Sequence, residues 1–260
     1  MLLLGYMLLG AVAGLIAGIF GLGGGIIIVP ALIFTFTYLN FPAEVLTHLA
    51  VGTSLSTILF TSLSAIYVHH RRLAINWSLA FNLSIGMLFG GLIGAYFAEF
   101  MSGVLLRRIF AFYSISVALQ MWFSWLPKAI LTPPKKLGCT LLGSAIGVFS
   151  GLFGIAGGSL VVPILTLYRT KITQAIAISA VTGFPIALSG TIGYIVMGWH
   201  NTALPDNSFG YVYWPAMLGI VLSSAIFAKF GAMLAYRLPS RKLQKMFSIV
   251  LLLVAIKLLV

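Results

Sequence analysis

The feature that most constrains this chain is a glycine-rich stretch that occurs twice, each time inside a long apolar run. Residues 14–32 read GLIAGIFGLGGGIIIVPAL and residues 147–165 read GVFSGLFGIAGGSLVVPIL, with nine of nineteen positions identical. In each copy a proline follows the last glycine of the cluster by five residues. Because a glycine costs a helix interior roughly 1 kcal/mol relative to alanine, the pattern predicts two interrupted helices, one in each half of a duplicated chain.

Composition places both stretches in a membrane. Of the 260 residues 61% are hydrophobic and 7% are charged, whereas soluble domains carry about 25% charged residues. Uncharged runs recur along the chain, and a helix of about 20 apolar residues crosses a bilayer. Among others they predict segments at about 43–68, 106–125 and 211–236, and the longest polar-leaning loop, of about a dozen residues, lies near 200–210. We therefore predict an all-α polytopic membrane protein. Non-helical backbone at membrane depth must be buried in protein or line a water-filled cavity, so paired helix breaks indicate the binding site of a transporter.

The charges and the single cysteine exclude several other classes. The net charge is +12, but the basic residues lie at the ends of apolar runs, which is the positive-inside pattern. We therefore predict contact with the lipid bilayer and none with nucleic acid. Cys139, the only cysteine, excludes an internal disulfide and a cysteine-based metal cluster. The start, MLLLGYMLLG, lacks a basic n-region and is expected to be a retained segment rather than a cleaved signal.

The duplication divides the chain into two halves of about four hydrophobic segments each. We predict a first membrane repeat over residues 1–126, a linker over 127–136 and a second repeat over 137–260. A second internal match supports this division, because GAYFAEFMSGVLLRRIF at 94–110 is similar to GAMLAYRLPSRKLQKMF at 231–247. Small residues spaced by four, such as Gly14 and Gly18, are more typical of close helix packing than of ligand contact.

Two membrane topologies fit these segments. If each glycine stretch crosses the membrane once, the halves are parallel and the basic loops lie on both sides. If each stretch instead enters to the midplane and returns as a hairpin, the halves are inverted and eleven basic residues share one side, which favours the hairpin. These residues are Arg71, Arg72, Lys128, Lys135, Lys136, Arg169, Lys171, Arg237, Arg241, Lys242 and Lys245, with Arg107 and Arg108 as the main exceptions.

The doubled motif resembles the TauE/SafE family of sulfite and organosulfonate exporters. The resemblance is carried by GIFGLGGGIIIVP and GLFGIAGGSLVVP, each opening one half, and by the later pair of matching stretches. It implies a bacterial or archaeal inner-membrane permease for small sulfur-containing anions, with several transmembrane helices. It does not choose among sulfite, organosulfonates and other small anions.

The residues themselves point to an anion. A helix that begins beside a glycine break offers free backbone N–H groups and about half a positive charge. Glycine also lets an oxyanion approach the backbone closely. Two such helix starts at the midplane would form an oxyanion site without a buried cation. The residues assigned to it are Gly23, Gly24, Gly25, Gly157, Gly158 and Ser159.

Hydroxyl groups on the neighbouring segments are candidates to complete that site. They are Thr53, Ser54 and Thr57 in the first half, and Ser179 and Thr182 in the second. For any one of them the alternative is that its hydroxyl bonds to a carbonyl of its own helix.

Few charged groups could couple transport to an ion. Glu44 and His48 lie four residues apart, so on a helix they share a face and could carry a proton, or they form a solvated helix entrance. Lys229 lies inside an apolar segment, where it would snorkel to the basic face or line the pathway. The run from His69 to Arg72 is predicted to be an interfacial anchor.

The sequence leaves two functions open. The first is a permease working by alternating access, and the second is a passive anion channel with the same helix ends. We predict no enzyme, catalytic residue, metal or cofactor, because Cys139 and four scattered histidines supply neither a nucleophile–base pair nor metal ligands. The expected partners are a small anionic substrate and lipid, and a homodimer stays open.

Overall fold

The computed structural model describes residues 2–20, 24–71, 75–123, 135–234 and 240–259. Gly23, Arg72, Lys128, Arg237 and residues 127–134 of the predicted linker lie outside these ranges. The first half contains α1 (Leu2–Phe20), α2 (Gly25–Tyr38), α3 (Ala43–Arg71), α4 (Trp77–Glu99) and α5 (Gly103–Trp122). The second contains α6 (Lys136–Phe153), α7 (Gly158–Leu167), α8 (Ile172–Gly198), β1 (Ser208–Phe209), β2 (Val212–Tyr213), α9 (Trp214–Leu234) and α10 (Ser240–Leu259).

Within the described residues, six helices are long and apolar enough to cross a membrane: α3, α4, α5, α6, α8 and α9. The helices α2 and α7, which begin directly after the glycine clusters, are apolar but shorter, with 14 and 10 residues. The prediction of an all-α polytopic membrane protein is therefore confirmed.

The helices α3 and α8 form the centre of the molecule. In their most apolar windows 72% and 67% of the residues are buried by protein, against 33–44% in the other four candidate spans. They pack in opposite directions, because Gly52 of α3 lies against Tyr194 of α8 while Leu55 lies against Gly190. Small residues at these crossings let the two backbones approach closely.

Glycine contacts also show how the helices of the two outer pairs, α1 with α9 and α4 with α6, run relative to each other. Along α1 and α9, Gly10 faces Ile220 and Gly14 faces Ser224, so these helices are parallel. The pair α4 and α6 is parallel too, with Met87 against Gly147 and Gly91 against Gly151. A side-chain carbon added at Gly10, Gly14, Gly147 or Gly151 would collide with the neighbouring backbone.

The remaining helix contacts give the directions of the outer pairs relative to the central helices α3 and α8. The helices α4 and α8 are parallel, since Gly91 lies against Ser189 and Ala95 against Gly193. The helices α3 and α9 are parallel as well, because Thr53 contacts Tyr213 just before α9 and Tyr67 faces Lys229 within it. It follows that α1, α3 and α9 run one way, and α4, α6 and α8 the other. Because α1 and α3 run the same way, α2 returns the chain between them.

Some element boundaries differ from the prediction. The first half's last segment begins at Gly103 rather than near Leu106, because the Ser102 hydroxyl caps the helix by accepting from the Leu105 N–H at 3.3 Å. The helix α3 continues to Arg71 instead of ending near Val68. The segment predicted to start near Tyr211 begins at Trp214, because the preceding residues form the short β-hairpin.

Candidate functional site

The second glycine cluster interrupts its helix. The helix α6 ends at Phe153, and Gly154 and Gly157 then adopt left-handed backbone angles, with φ of 68° and 75°. L-residues with a side chain rarely adopt such angles, whereas glycine does so readily. The N–H groups of Leu160 and Val161 donate to the Gly157 carbonyl as α7 begins. All residues from Gly151 to Ser159 are buried, so the break lies inside protein.

The first cluster begins its second helix in the same way. Gly24 has φ of 78° and precedes α2 as the N-terminal cap residue. The N–H groups of Ile27 and Ile28 both donate to the Gly24 carbonyl at 3.0 Å. Glycine has no side chain that could accept a hydrogen bond from a helix start. The first N–H groups of α2 and α7 are therefore not capped by the side chain of the preceding residue, Gly24 or Gly157.

The two breaks meet. Gly25, the first residue of α2, packs against the Gly154 carbonyl and the Ile155 backbone so closely that a methyl group there would collide with both. Gly154 is enclosed on its other sides by Val29 and Val51. The Ser54 hydroxyl of the central helix α3 donates to the Gly154 carbonyl oxygen at 2.8 Å. The structure thus joins the start of α2, the end of α6 and the middle of α3 at one buried point.

A cavity lies beside this meeting point. In this conformation it is narrow, with an internal volume of about 20 Å³, which is room for about one water molecule. Residues next to both breaks line it, and so do small and hydroxyl-bearing residues of α3, α8 and α9 and one histidine. The lining consists of Ala17, Gly18, Thr61, Ser62, Ala65, His69, Ala156, Ser179, Ala180 and Ala228.

His69 and Ser179 place polar atoms on this wall. His69 is 2% exposed, so its side chain is buried in protein, whereas His70 and Arg71 of the predicted interfacial anchor are exposed. Thr61 and Ser62, about two turns earlier on α3, were not selected from the sequence. Their spacing from His69, eight and seven residues, was the available signal that all three share a helix face.

The predicted hydroxyls do not all converge. In this conformation Thr57, Ser179 and Thr182 donate to carbonyls of their own helices, which is the alternative that the sequence left open. Each hydroxyl has one proton to donate, so these three are not donors to an anion here. Ser54 bonds across to the second break, and Thr53 accepts from the Tyr213 N–H at 2.9 Å.

Polar side chains surround the start of α7. The Ser159 hydroxyl is hydrogen-bonded to the Tyr113 hydroxyl of α5. The Ser150 hydroxyl is fully buried, has no hydrogen-bond partner among the described residues and lies 3.1 Å from the position of a Cβ on Gly157. Tyr113 and Ser150 were not selected from the sequence, since neither lies in a motif that marks a ligand.

The three predicted coupling residues lie apart. Glu44 is exposed at the start of α3, whereas His48 is buried, 4% exposed, with its Nε2 2.9 Å from the Ala98 carbonyl of α4. Lys229 is exposed, and its Nζ lies 5.9 Å from the centre of the Tyr67 ring. None of the three lines the cavity.

The segment between α8 and α9, which we call the strap (residues 199–213), was predicted to be a polar-leaning loop. Instead it folds back between the two central helices. The Tyr211 N–H donates to the Tyr194 carbonyl of α8 at 3.1 Å, and the Tyr211 carbonyl packs against Gly52 of α3. Tyr211 and Val212 are only 4% and 3% exposed. Gly52 is nine residues into α3, so the strap reaches about 13 Å along that helix.

The Tyr211 side chain contacts a small polar cluster. Its hydroxyl accepts from the Asn201 side-chain N–H at 3.0 Å and donates to the Glu99 carboxylate at 3.4 Å. Its ring lies 5.2 Å from the His48 ring. Burial raises the pKa of Tyr211, and the neighbouring Glu99 charge adds to the increase, so the hydroxyl stays protonated at neutral pH.

Comparisons with known proteins agree with this architecture. The family model described as Sulfite exporter TauE/SafE matches residues 6–258. A probable membrane transporter protein of Haemophilus influenzae is 36% identical, over 96% of this chain and 95% of its own length. Another, from Methanocaldococcus jannaschii, is 30% identical over 94% and 91%. The probable membrane transporter protein YunE of Bacillus subtilis is 27% identical over 97% and 96%.

No solved structure matches the chain significantly. The family model and these relatives nevertheless span both glycine breaks, the central helices and the strap. The chain therefore belongs to the TauE/SafE family and is a multi-pass membrane transporter protein.

Proposed function

We propose that this protein transports small sulfur-containing anions, such as sulfite or organosulfonates, across the bacterial or archaeal inner membrane by alternating access. The observation that carries the proposal is the meeting of the two glycine breaks beside a cavity with hydroxyl and histidine lining. The family description, Sulfite exporter TauE/SafE, supports the substrate class.

The cavity suits an anion on electrostatic grounds. Its lining contains hydroxyls, His69 and small residues but no carboxylate. Ala156 lies directly before the cap of α7, so an anion in the cavity approaches the positive end of that helix. A buried hydroxyl that donates to a carbonyl of its own helix can rotate and donate to an anion instead, because its O–H hydrogen is free to turn between acceptors.

Alternating access follows from the helix directions. Corresponding helices of the two halves, α1 and α6, α3 and α8, and α4 and α9, run in opposite directions, so we infer inverted repeats. The cavity extends from the breaks towards His69, near the end of α3 where α8 begins. The strap lies between α3 and α8 towards their other end. We infer that the two halves rock against each other. This motion closes the cavity at the His69 end and opens a path at the strap end.

Transport in proteoliposomes tests the proposal. Purified protein is reconstituted, and uptake of ³⁵S-sulfite is measured with and without unlabelled sulfite inside the vesicles. A transporter exchanges the two pools, so internal sulfite accelerates uptake of the label (counterflow). Uptake that follows only the electrical and chemical gradient, with no counterflow, would favour the passive channel. No uptake of sulfite, sulfoacetate or thiosulfate would refute the substrate class.

A cavity-filling variant locates the site. Ala180 is 9% exposed and lines the cavity, so Ala180→Phe places a ring where the anion would lie. We expect loss of at least about 90% of sulfite uptake, which corresponds to roughly 1.4 kcal/mol of binding or barrier energy. The control is Ile192→Phe on the same helix, which is 49% exposed on the outer surface and should transport normally.

A further inference from the structure

The Ser150 hydroxyl, in the last turn of α6, is fully buried and forms no hydrogen bond with any residue that the structure describes. Other buried serines of this protein, such as Ser56 and Ser189, donate to a carbonyl of their own helix. That local bond is open to any helical serine. Because an unpaired buried hydroxyl is costly, one that does not bond to its own helix indicates a partner from elsewhere.

This hydroxyl lies beside the start of α7. Its Oγ is 3.1 Å from the Cβ position of Gly157, the residue that precedes the helix, yet it makes no bond to the helix backbone. The other atoms nearest to that position are side-chain carbons of Ile186 and Ile146, at 3.0 and 3.5 Å. The hydroxyl is therefore the polar group next to a helix start that is otherwise surrounded by apolar side chains.

The start of α7 has donors to offer. The N–H groups of Leu160 and Val161 donate to the Gly157 carbonyl. Within the described part of the chain, those of Gly158 and Ser159 donate to no backbone carbonyl. Free N–H groups and the positive end of the helix dipole favour an anion at this point. The ten residues of α7 align their peptide dipoles towards it.

The first glycine break shows that the fold does not require this hydroxyl. The repeat aligns Ala17 with Ser150 and Gly24 with Gly157. The Ala17 Cβ is 3.4 Å from the Cβ position of Gly24, which is nearly the separation found at the second break. The same packing is thus made once with a methyl group and once with a hydroxyl, so the hydroxyl adds chemistry rather than shape.

We propose that the Ser150 hydroxyl and the first N–H groups of α7 bind an oxygen of the transported oxyanion. This inference rests on the proposed function and assigns to it a binding residue outside the glycine motif. Ala156, which lines the cavity, directly precedes Gly157, so the site lies just beyond that part of the cavity wall. The cavity is narrow in this conformation, and the anion reaches the site when the two halves move apart.

Equilibrium binding of ³⁵S-sulfite to the purified protein in detergent tests the assignment. Ser150→Ala reproduces the alanine of the first break, so we expect it to fold. The Kd for sulfite should rise by at least about tenfold, because a hydrogen bond to a charged group is lost. Thermal unfolding without sulfite reports any structural role. Its midpoint should stay the same or rise, because the variant removes a buried hydroxyl that has no partner among the described residues.

The matched control is Ser144→Ala on the same helix, whose hydroxyl donates to the Thr140 carbonyl, and it should keep the wild-type Kd. A wild-type Kd in Ser150→Ala, or an equal increase in Ser144→Ala, would overturn the assignment and leave the proposed function intact. If the wild-type protein binds neither sulfite, sulfoacetate nor thiosulfate, the proposed function fails and this inference fails with it.

A second variant keeps the test decisive if Ser150→Ala does not fold. Ser150→Cys is close to serine in shape, but its thiol is a weaker hydrogen-bond donor. We expect the Kd for sulfite to rise by about threefold or more in this variant. An unchanged Kd would overturn the assignment.

Discussion

The two glycine breaks share a backbone but differ in their surroundings. Gly24 and Gly157 have nearly the same φ, 78° and 75°, and each begins a short apolar helix that contains a proline. At the second break Ser159 follows the first glycine of α7, and Tyr113 bonds to it. The repeat places Ile26 at the corresponding position of the first break, and Ile26 is 1% exposed in an apolar core.

This difference indicates which features of the duplicated unit are structural and which are chemical. A left-handed glycine precedes the second helix at both breaks, because residues with a side chain rarely adopt that backbone angle. The polar side chains are concentrated at the second break, where Ser54 bonds to the Gly154 carbonyl, Ser150 lies beside Gly157 and Ser159 bonds to Tyr113. The first break mainly supports the second, through the contact of Gly25 with Gly154 and Ile155.

The largest effect is expected where the breaks touch. In Gly25→Ala the new methyl group collides with the Gly154 carbonyl and the Ile155 Cα, both backbone atoms that cannot rotate away. We expect a loss of at least about 3 kcal/mol of stability and loss of transport. Thermal unfolding in detergent, followed by size-exclusion fluorescence, measures the change. The control is Gly5→Ala on α1, where nothing lies within 4 Å of the added carbon, and an equal loss there would refute the explanation.

The next prediction compares left-handed glycines of the two breaks. Gly154→Ala forces a side chain into φ of 68° with three neighbouring atoms at 3.0 Å, whereas the nearest atoms to a carbon at Gly24 are 3.3–3.4 Å away. Both substitutions cost about 1–2 kcal/mol for the backbone angle, and Gly154→Ala adds a packing cost of at least about 1 kcal/mol. Unfolding midpoints should therefore be lower for Gly154→Ala. The reverse order would show that the first break is the more constrained.

Much of this architecture could be predicted because local signals agree with the fold. The apolar runs gave the six candidate spans, and the glycine clusters gave the interruptions at Gly24 and after Phe153. The distribution of basic residues favoured a return of the chain at each cluster, which agrees with the parallel directions of α1 and α3. Each of these signals lies within a single segment, so the helices and their interruptions can be predicted without knowing which helices pack together.

The strap and the partners of the hydroxyls could not be predicted in this way. Tyr211 is buried only because Gly52, more than 150 residues earlier in the chain, leaves room for its carbonyl. The Ser54 hydroxyl bonds to a carbonyl that is exposed for bonding only because the helix α6 has ended. Both features depend on contacts between segments that are far apart in the sequence. The composition of one segment indicates that it breaks a helix or is polar, but it does not indicate which residue of another segment it contacts.

A smaller effect is expected for the bond that links the central helix to the second break. Ser54→Ala removes the donor to the Gly154 carbonyl and leaves that buried acceptor without it. We expect a loss of about 1–2 kcal/mol, seen as a lower unfolding midpoint. Ser56→Ala is the matched control, because its hydroxyl donates to the Thr53 carbonyl of its own helix. Equal losses in both variants would mean that the link across the break contributes no more than a local bond.

The smallest effect concerns the polar pair that only the second break has. Tyr113→Phe and Ser159→Ala each remove the hydrogen bond between α5 and the start of α7, and each should cost about 0.5–1 kcal/mol. Because both substitutions delete the same bond, the double variant should lose less than the sum of the single losses. The transport KM then assigns the roles: if Ser159 binds the anion, Ser159→Ala raises the KM for sulfite while Tyr113→Phe does not. Equal KM values in both variants would make the pair purely structural, and the chemical difference between the two breaks would then have to reside at Ser150 and in the cavity wall.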